Sequence, residues 1–185
     1  MCKFLKWLII PFLVLISGQA MAQDGARMFA AKWITDTVKR VSDQDASTIV
    51  TEAFKQGNKH KIDPLILLAV MKKESTFNRR ARSSHNAQGL MQVMPRWHKD
   101  KIRGRDLYSV PVNIEVGSKI LSDCLDKGKG NLNKALRCYT GGHNPKYYAD
   151  VRKYHSSMKR WVIENQFKYQ LPVYYVQYNE DKLKL

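Results

Sequence analysis

Glu74 closes the most apolar stretch of the chain, LILLAVMKKESTFNRR, Leu65 to Arg80. Seven apolar residues run into Lys72 and Lys73, and Arg79, Arg80 and Arg82 follow the acid. A carboxyl group held against apolar walls has its charged form disfavoured and its pKa raised. A general acid working near neutral pH needs that shift. The flanking cations act the other way, because they stabilise the carboxylate. Lys72 and Lys73 directly precede Glu74 and do not share its helix face. Position alone therefore favours a solvated ion pair over a working acid.

Other chemistry is sparse. The five histidines are scattered, with no pair at helical ligand spacing, so neither a metal site nor a cofactor is expected. Cys2 falls within the first 22 residues, which read as a cleaved export signal, and this leaves Cys124 and Cys138 as an even pair. In an exported chain such a pair permits a disulfide, and two buried thiols are the alternative.

The elements that must position Glu74 are helical. Asp63-Pro64 is a helix start, with Asp as N-cap and Pro at the first helical position. The helix it opens is apolar on every face from Leu65 to Met71, the pattern of a central buried helix. Periodic apolar residues predict earlier helices over 26–40 (Met28, Phe29, Ala31, Trp33, Val38) and 44–58 (Ile49, Val50, Ala53, Phe54). After a polar loop over 75–88, GLMQVM reads as a short helix stopped at Pro95. Further helices are predicted from Val112, over LNKALRCY up to Gly141-Gly142, and from Pro145 to about Val162. The tail QLPVYYVQYNEDKLKL reads as a short strand with a charged end; its Tyr174, Tyr175 and Tyr178 are candidates to cover the core or to dock a partner. The expected fold class is mainly α, one domain around a central buried helix, with little β structure.

With 185 residues and 44% hydrophobic content the chain suits one compact domain. Lys3 and Lys6, the apolar run Trp7 to Ile16 and the small-x-small Ala20-Met21-Ala22 read as an export signal cleaved after Ala22. The rival reading is an uncleaved inner-membrane anchor, although the run falls short of the ~20 residues of a comfortable span. Cleavage lowers the formal charge from +16 to +14. That charge suits a polyanionic partner, and export makes nucleic acid the weakest choice. The expected divisions are 1–22 signal, 23–44 helical extension, 45–160 main domain and 161–185 tail.

Four short blocks carry a resemblance. Glu74-Ser75 with Phe77-Asn78 resembles the ES-x-F-N signature of lytic transglycosylases of the soluble type, relatives of goose-type lysozyme. Gly89 to Pro95 is similar to their GLMQ-x-MP segment, and Asn113-Ile114 with Gly117 to their NI-x-x-G helix. Ala135-Leu136 with Tyr139 and Gly141-Gly142 resembles AL-x-x-YN-x-G. The blocks stand in order over about 45–155.

The resemblance implies a lysozyme-like fold and a periplasmic enzyme that acts on peptidoglycan glycan strands with Glu74 as its single acid and base. It also implies substrate contacts from Ser83, Gln92 and Met94, and a Tyr139 hydroxyl near the catalytic carboxyl. Thr140, the counterpart of the family's substrate-contacting Asn, keeps a hydroxyl but lacks the carboxamide's two N–H donors and carbonyl acceptor; a Cys124–Cys138 disulfide would brace the Tyr139 helix. The family's enzymes cleave the bond between N-acetylmuramic acid and N-acetylglucosamine and leave a 1,6-anhydro end; goose-type lysozymes hydrolyse the same bond on a similar scaffold, and a wall-binding component without activity is a third reading. A small monomeric enzyme of this kind, without wall-binding modules, resembles those that serve secretion systems, conjugation machines or virion assemblies.

Overall fold

The computed structural model describes residues 6–170, with side chains from residue 20 onward. The predicted strand and the tyrosines of the tail lie outside the described residues. Among these residues the molecule is mainly helical: α1 (Lys6–Thr37), α2 (Asp43–His60), α3 (Pro64–Ser75), α4 (Lys99–Ile102), α5 (Val110–Lys127), α6 (Leu132–Tyr139) and α7 (Pro145–Lys168). Their only β pairing is two isolated bridges, Arg82 to Gln88 and Gln88 to Val93.

α3 is the axis of the fold. Asp63 caps it, its carboxylate accepting from the Leu65 N–H at 2.9 Å, and every side chain from Pro64 to Met71 is buried. α2 and α7 pack directly on α3, and α1 packs on both of them. α1 ends at Thr37, and it contributes Ala26, Phe29, Ala30, Trp33 and Ile34 to the same core, while Met28 is exposed. Behind the Asp63 cap, the second carboxylate oxygen lies 2.8 Å from His155 Nε2 of α7, both residues buried. Near the other end of α7, Gln166 Nε2 donates to the Ala22 carbonyl at 2.9 Å. α7 thus continues past the predicted end at Val162, on a buried stripe of Val151, His155, Met158, Val162 and Gln166.

GLMQVM is not a helix, which corrects the sequence reading. Gly89 and Gln92 have positive φ (75° and 47°), and the segment closes as a tight loop through paired backbone bonds between Gln88 and Val93 (2.9 and 3.0 Å). A 3-10 turn, Pro95–Trp97, follows it. The apolar spacing of Leu90, Met91 and Val93 suits burial, and all three are buried. Met91 packs against α5, beside Asn113 and Gly117, and not on a helix face of its own.

Candidate active site

Three interlocked segments build the surroundings of Glu74. The first is the C-terminal end of α3. Thr76 and Phe77 turn the chain in left-handed conformations (φ 51° and 59°), and Phe77 inserts into the core. Arg40, from the α1–α2 connection, donates through Nη2 to the carbonyls of Ser75 (3.0 Å) and Thr76 (2.8 Å). Carbonyls at a helix C-terminus lack intrahelical partners and carry partial negative charge, so a guanidinium there closes the helix end.

The second segment is the 89–94 loop. Ser75 Oγ donates to the Leu90 carbonyl at 2.8 Å and ties the loop to the helix that carries the acid. Asn113 of α5 is buried and uses its whole amide: Oδ1 accepts from Met91 N–H, and Nδ2 donates to the carbonyls of Gln88 and Leu107, each at 2.8 Å. One turn on, Gly117 leaves room for Met91; a Cβ there would stand 2.7 Å from the Met91 Cβ. Gly89 packs with its Cα against the Asn113 amide in the same way. Three of the four sequence blocks are therefore one contact network.

The third segment is α6 and α7. Asn144 caps α7 by accepting from Tyr147 N–H at 3.0 Å, with Pro145 in the first turn. Tyr147 then donates its hydroxyl to Glu74 Oε1 at 2.6 Å. The Tyr139 hydroxyl donates elsewhere, to the Met91 carbonyl at 2.7 Å, so the loop is held from this side too. Tyr139 still lies close enough to Glu74 for the charge to be felt: burial first and Glu74 second push its phenol pKa well up. The same causes, joined by Tyr139 and the hydrogen bond to Glu74, raise that of Tyr147 far above the usual value, and both phenols stay protonated donors.

Glu74 is partly buried. Burial raises its pKa above the usual carboxylate value, against the Tyr147 hydrogen bond and the Lys73 charge, which both pull it down. Lys73 is diverted: its Nζ lies 2.6 Å from Asp150 Oδ2 of α7 and 5.9 Å from the Tyr147 ring centroid. Arg79, Arg80 and Arg82 make no ion pair with Glu74; Arg82 Nε donates to Asn86 Oδ1 at 2.9 Å. Glu74 is left with one neutral donor and a neighbouring cation already paired, an arrangement that can deliver a proton and then carry the resulting charge.

The remaining predicted positions divide. Ser83 Oγ accepts from Ala87 N–H at 3.0 Å and closes the 83–87 turn. Gln92 Nε2 donates to Gly89 (3.0 Å) and Ala81 (3.3 Å) carbonyls, which leaves its Oε1 unbonded. Met94, partly buried, opens the 3-10 turn. Thr140 ends α6 with its hydroxyl turned to the carbonyls of Leu136 (3.0 Å) and Gly142 (3.1 Å). Cys124 and Cys138 form a disulfide between α5 and α6, directly before Tyr139. Sequence reasoning missed Tyr147, Arg40 and the Lys73–Asp150 pair. A tyrosine in register with the buried stripe of α7 was the available signal, since a buried phenol needs a partner for its hydroxyl.

Comparison with known proteins adds to this geometry. Residues 52–162 match the family model described as the transglycosylase SLT domain. A transglycosylase of Enterobacteria phage PRD1 is 36% identical over 85 residues, 46% of this chain and 31% of the phage protein. The membrane-bound lytic murein transglycosylase E of Buchnera aphidicola is 31% identical over 118 residues, 58% of this chain and 50% of that protein. The chain thus spans half the length, or less, of these curated relatives. Among solved structures, an inactive mutant of the lytic transglycosylase Slt from Pseudomonas aeruginosa aligns with a TM-score of 0.49 at 20% identity, over 66% of this chain and 25% of that one.

Proposed function

The chain belongs to the transglycosylase SLT domain family, and from that premise we propose that it is an exported peptidoglycan lytic transglycosylase. Its substrate is the β-1,4 bond between N-acetylmuramic acid and N-acetylglucosamine, and its products end in 1,6-anhydromuramic acid. The observation that carries this reading is Glu74: a carboxyl with a raised pKa, one neutral hydrogen-bond donor and no ion-pair partner among the described residues.

In the first step protonated Glu74 gives its proton to the glycosidic oxygen, and the bond from that oxygen to muramic C1 breaks. The resulting carboxylate is held by the Tyr147 hydroxyl. It then accepts the proton of the muramic C6 hydroxyl, whose oxygen closes on C1. Water is not consumed, and Glu74 ends protonated. Glycoside hydrolysis usually employs a second carboxylate. Asp150, brought near by Tyr147 one turn earlier on α7, is committed to Lys73, which lowers its pKa and leaves it a poor base. This supports intramolecular closure over hydrolysis.

Gln92 Oε1 is the free acceptor for an acetamido or hydroxyl donor of the glycan, with Met94 as an apolar wall and Ser83 and Tyr139 shaping the loop edge. Thr140 supplies less than the family's Asn, because its single hydroxyl proton already serves backbone carbonyls. The basic surface attracts the peptide carboxylates of the wall. The Cys124–Cys138 disulfide suits an oxidising compartment outside the cytoplasm, where the export signal would deliver the chain. No helix among the described residues is long and apolar enough to cross a membrane. Secretion, conjugation or virion machinery is the setting we favour, and the occurrence of a relative in a phage supports it.

The test is digestion of purified sacculi with mass spectrometry of the released muropeptides. Anhydro ends are expected; reducing ends would replace the lyase reading with a muramidase. Glu74→Gln should remain folded and release nothing. Retention on sacculi by the wild type with no release would mark a wall-binding component instead.

A further inference from the structure

A charged cavity lies beside the end of α2, where His60 stands four residues before Pro64 opens α3. None of its lining residues belongs to α3, and Glu74 stands ten residues beyond Pro64, ~15 Å along that helix at 1.5 Å rise per residue. Here the end of α2, α4 with the loop after it, and the first half of α5 enclose a cavity of about 560 Å³. Five permanent cations line it, Lys59, Lys101, Arg103, Arg105 and Lys119, against the carboxylates Asp100 and Glu115.

Most of these charges are spoken for. Arg105 pairs with Glu115 at 2.9 Å and donates to the carbonyls of Ile102 (3.1 Å) and Lys101 (3.0 Å). Lys101 lies between Asp100 (3.0 Å) and Asp123 (3.5 Å), and Lys119 also pairs with Asp123 at 2.5 Å. Two cations remain. Lys59 has no ion pair or hydrogen bond among the described residues. Arg103 uses only Nε, on the Asp100 carbonyl at 3.2 Å, and both its Nη groups are unbonded. Beside them, His60 Nε2 is buried without a hydrogen-bond partner. A buried polar nitrogen left unpaired costs free energy, and native structures contain few of them.

We propose that this cavity binds a multiply charged oxyanion, a phosphate or paired carboxylates, carried on a small organic body and held by Lys59, Arg103 and His60. The free guanidinium fork matches such oxygens, and the Lys59 ammonium adds a point charge. The volume falls in the range of small-molecule sites and exceeds what a bare ion fills. Burial, then the Lys59 and Lys119 charges, hold His60 below its usual pKa, with Asp123 and Glu115 opposing. The charge of a bound anion offsets the Lys59 and Lys119 charges, so it moves the His60 pKa upward.

The experiment follows the histidine ring signals by NMR while the full-length protein is titrated with inorganic phosphate in one arm and citrate in the other. A saturable shift of His60 with a rise in its pKa is expected, with the exposed His85 and His143 unmoved. Saturation by phosphate alone assigns a phosphate-bearing ligand; saturation by citrate alone assigns a carboxylate-bearing one. The double variant Lys59→Ala, Arg103→Ala changes two exposed side chains and should bind at least tenfold more weakly, with an unchanged circular dichroism spectrum. The proposal is overturned by the absence of saturation at millimolar concentrations in both arms, by equal movement of all histidines, or by undiminished binding in the double variant. None of these outcomes depends on glycan cleavage, so the site stands or falls separately from the role of Glu74.

Discussion

Tyr147 donates its hydroxyl to Glu74 Oε1 at 2.6 Å, across 73 positions of sequence. The bond favours the charged carboxylate, so it works against the burial that keeps the acid protonated. In Tyr147→Phe the Glu74 pKa therefore rises further, and the alkaline limb of the pH–rate profile moves to higher pH. The carboxylate formed in the first step also loses its donor. A bond to a charged group contributes about 1.5–3 kcal/mol, which corresponds to roughly ten- to a hundredfold in turnover. Steady-state rates on sacculi between acid and mildly alkaline pH check both effects. An unmoved limb would mean that Tyr147 only packs.

Glu74 also leaves a mark on stability. Its folded-state pKa lies above the unfolded value, so the native state binds this proton more tightly than the unfolded chain does. Stability contributed by the protonated form is present at low pH and is lost as pH rises through the folded pKa. Glu74→Gln should melt a few degrees higher than the wild type at pH 8, with the gap closing below the unfolded carboxyl pKa of ~4.3. Thermal melts at the two pH values decide; a gap that grows at low pH would contradict the assignment.

Gly117 tests the contact network under the 89–94 loop. An alanine there would set its Cβ 2.7 Å from that of Met91. Overpacking of this kind costs about 1–3 kcal/mol. Because the Met91 carbonyl accepts from Tyr139 and its N–H donates to Asn113, the displacement should reach Gln92 and Met94. Gly117→Ala is expected to stay folded at 25 °C and to lose most glycan cleavage, read by parallel melting and activity assays.

The disulfide offers a measurement independent of catalysis. Cys124 and Cys138 stand 14 residues apart. Closing a loop of about 15 residues stabilises by ~3 kcal/mol in the chain-entropy account. For a protein of this size that is roughly 6–12 °C in melting temperature. The variant Cys124→Ser, Cys138→Ser should show that loss, and reductant should lower the wild-type value while leaving the variant unchanged.

Much of this architecture can be read locally. Asp63-Pro64 and the uninterrupted apolar run to Met71 announce α3, because a cap and a run apolar on all faces have few other uses. The 89–94 loop could not be read so, since its apolar spacing fits a helix as well as a loop. The partners that choose the loop are Asn113, 22 positions from Met91, and the glycines that let the backbones approach. Tyr147 stayed hidden for a related reason: on α7 it looks like another apolar member of an amphipathic stripe, and only the packing of α7 on α3 aims its hydroxyl at Glu74. Thr140 is the reverse case. Its departure from the family residue is visible in sequence, but the turn of its hydroxyl toward carbonyls is not.

Arg40 precedes the first residue matched to the family, at 52, yet it clasps the helix end next to Glu74. α1, wholly outside that match, supplies Phe29, Trp33 and Ile34 to the common core. Homology borders and the cooperative folding unit are thus different things in this chain. A fragment trimmed to the matched stretch would keep the acid, the loop and both tyrosines while discarding the clasp and one wall of the core. Expression designs for this protein should accordingly take their start upstream of α1's buried face and not at the edge of the recognisable motifs.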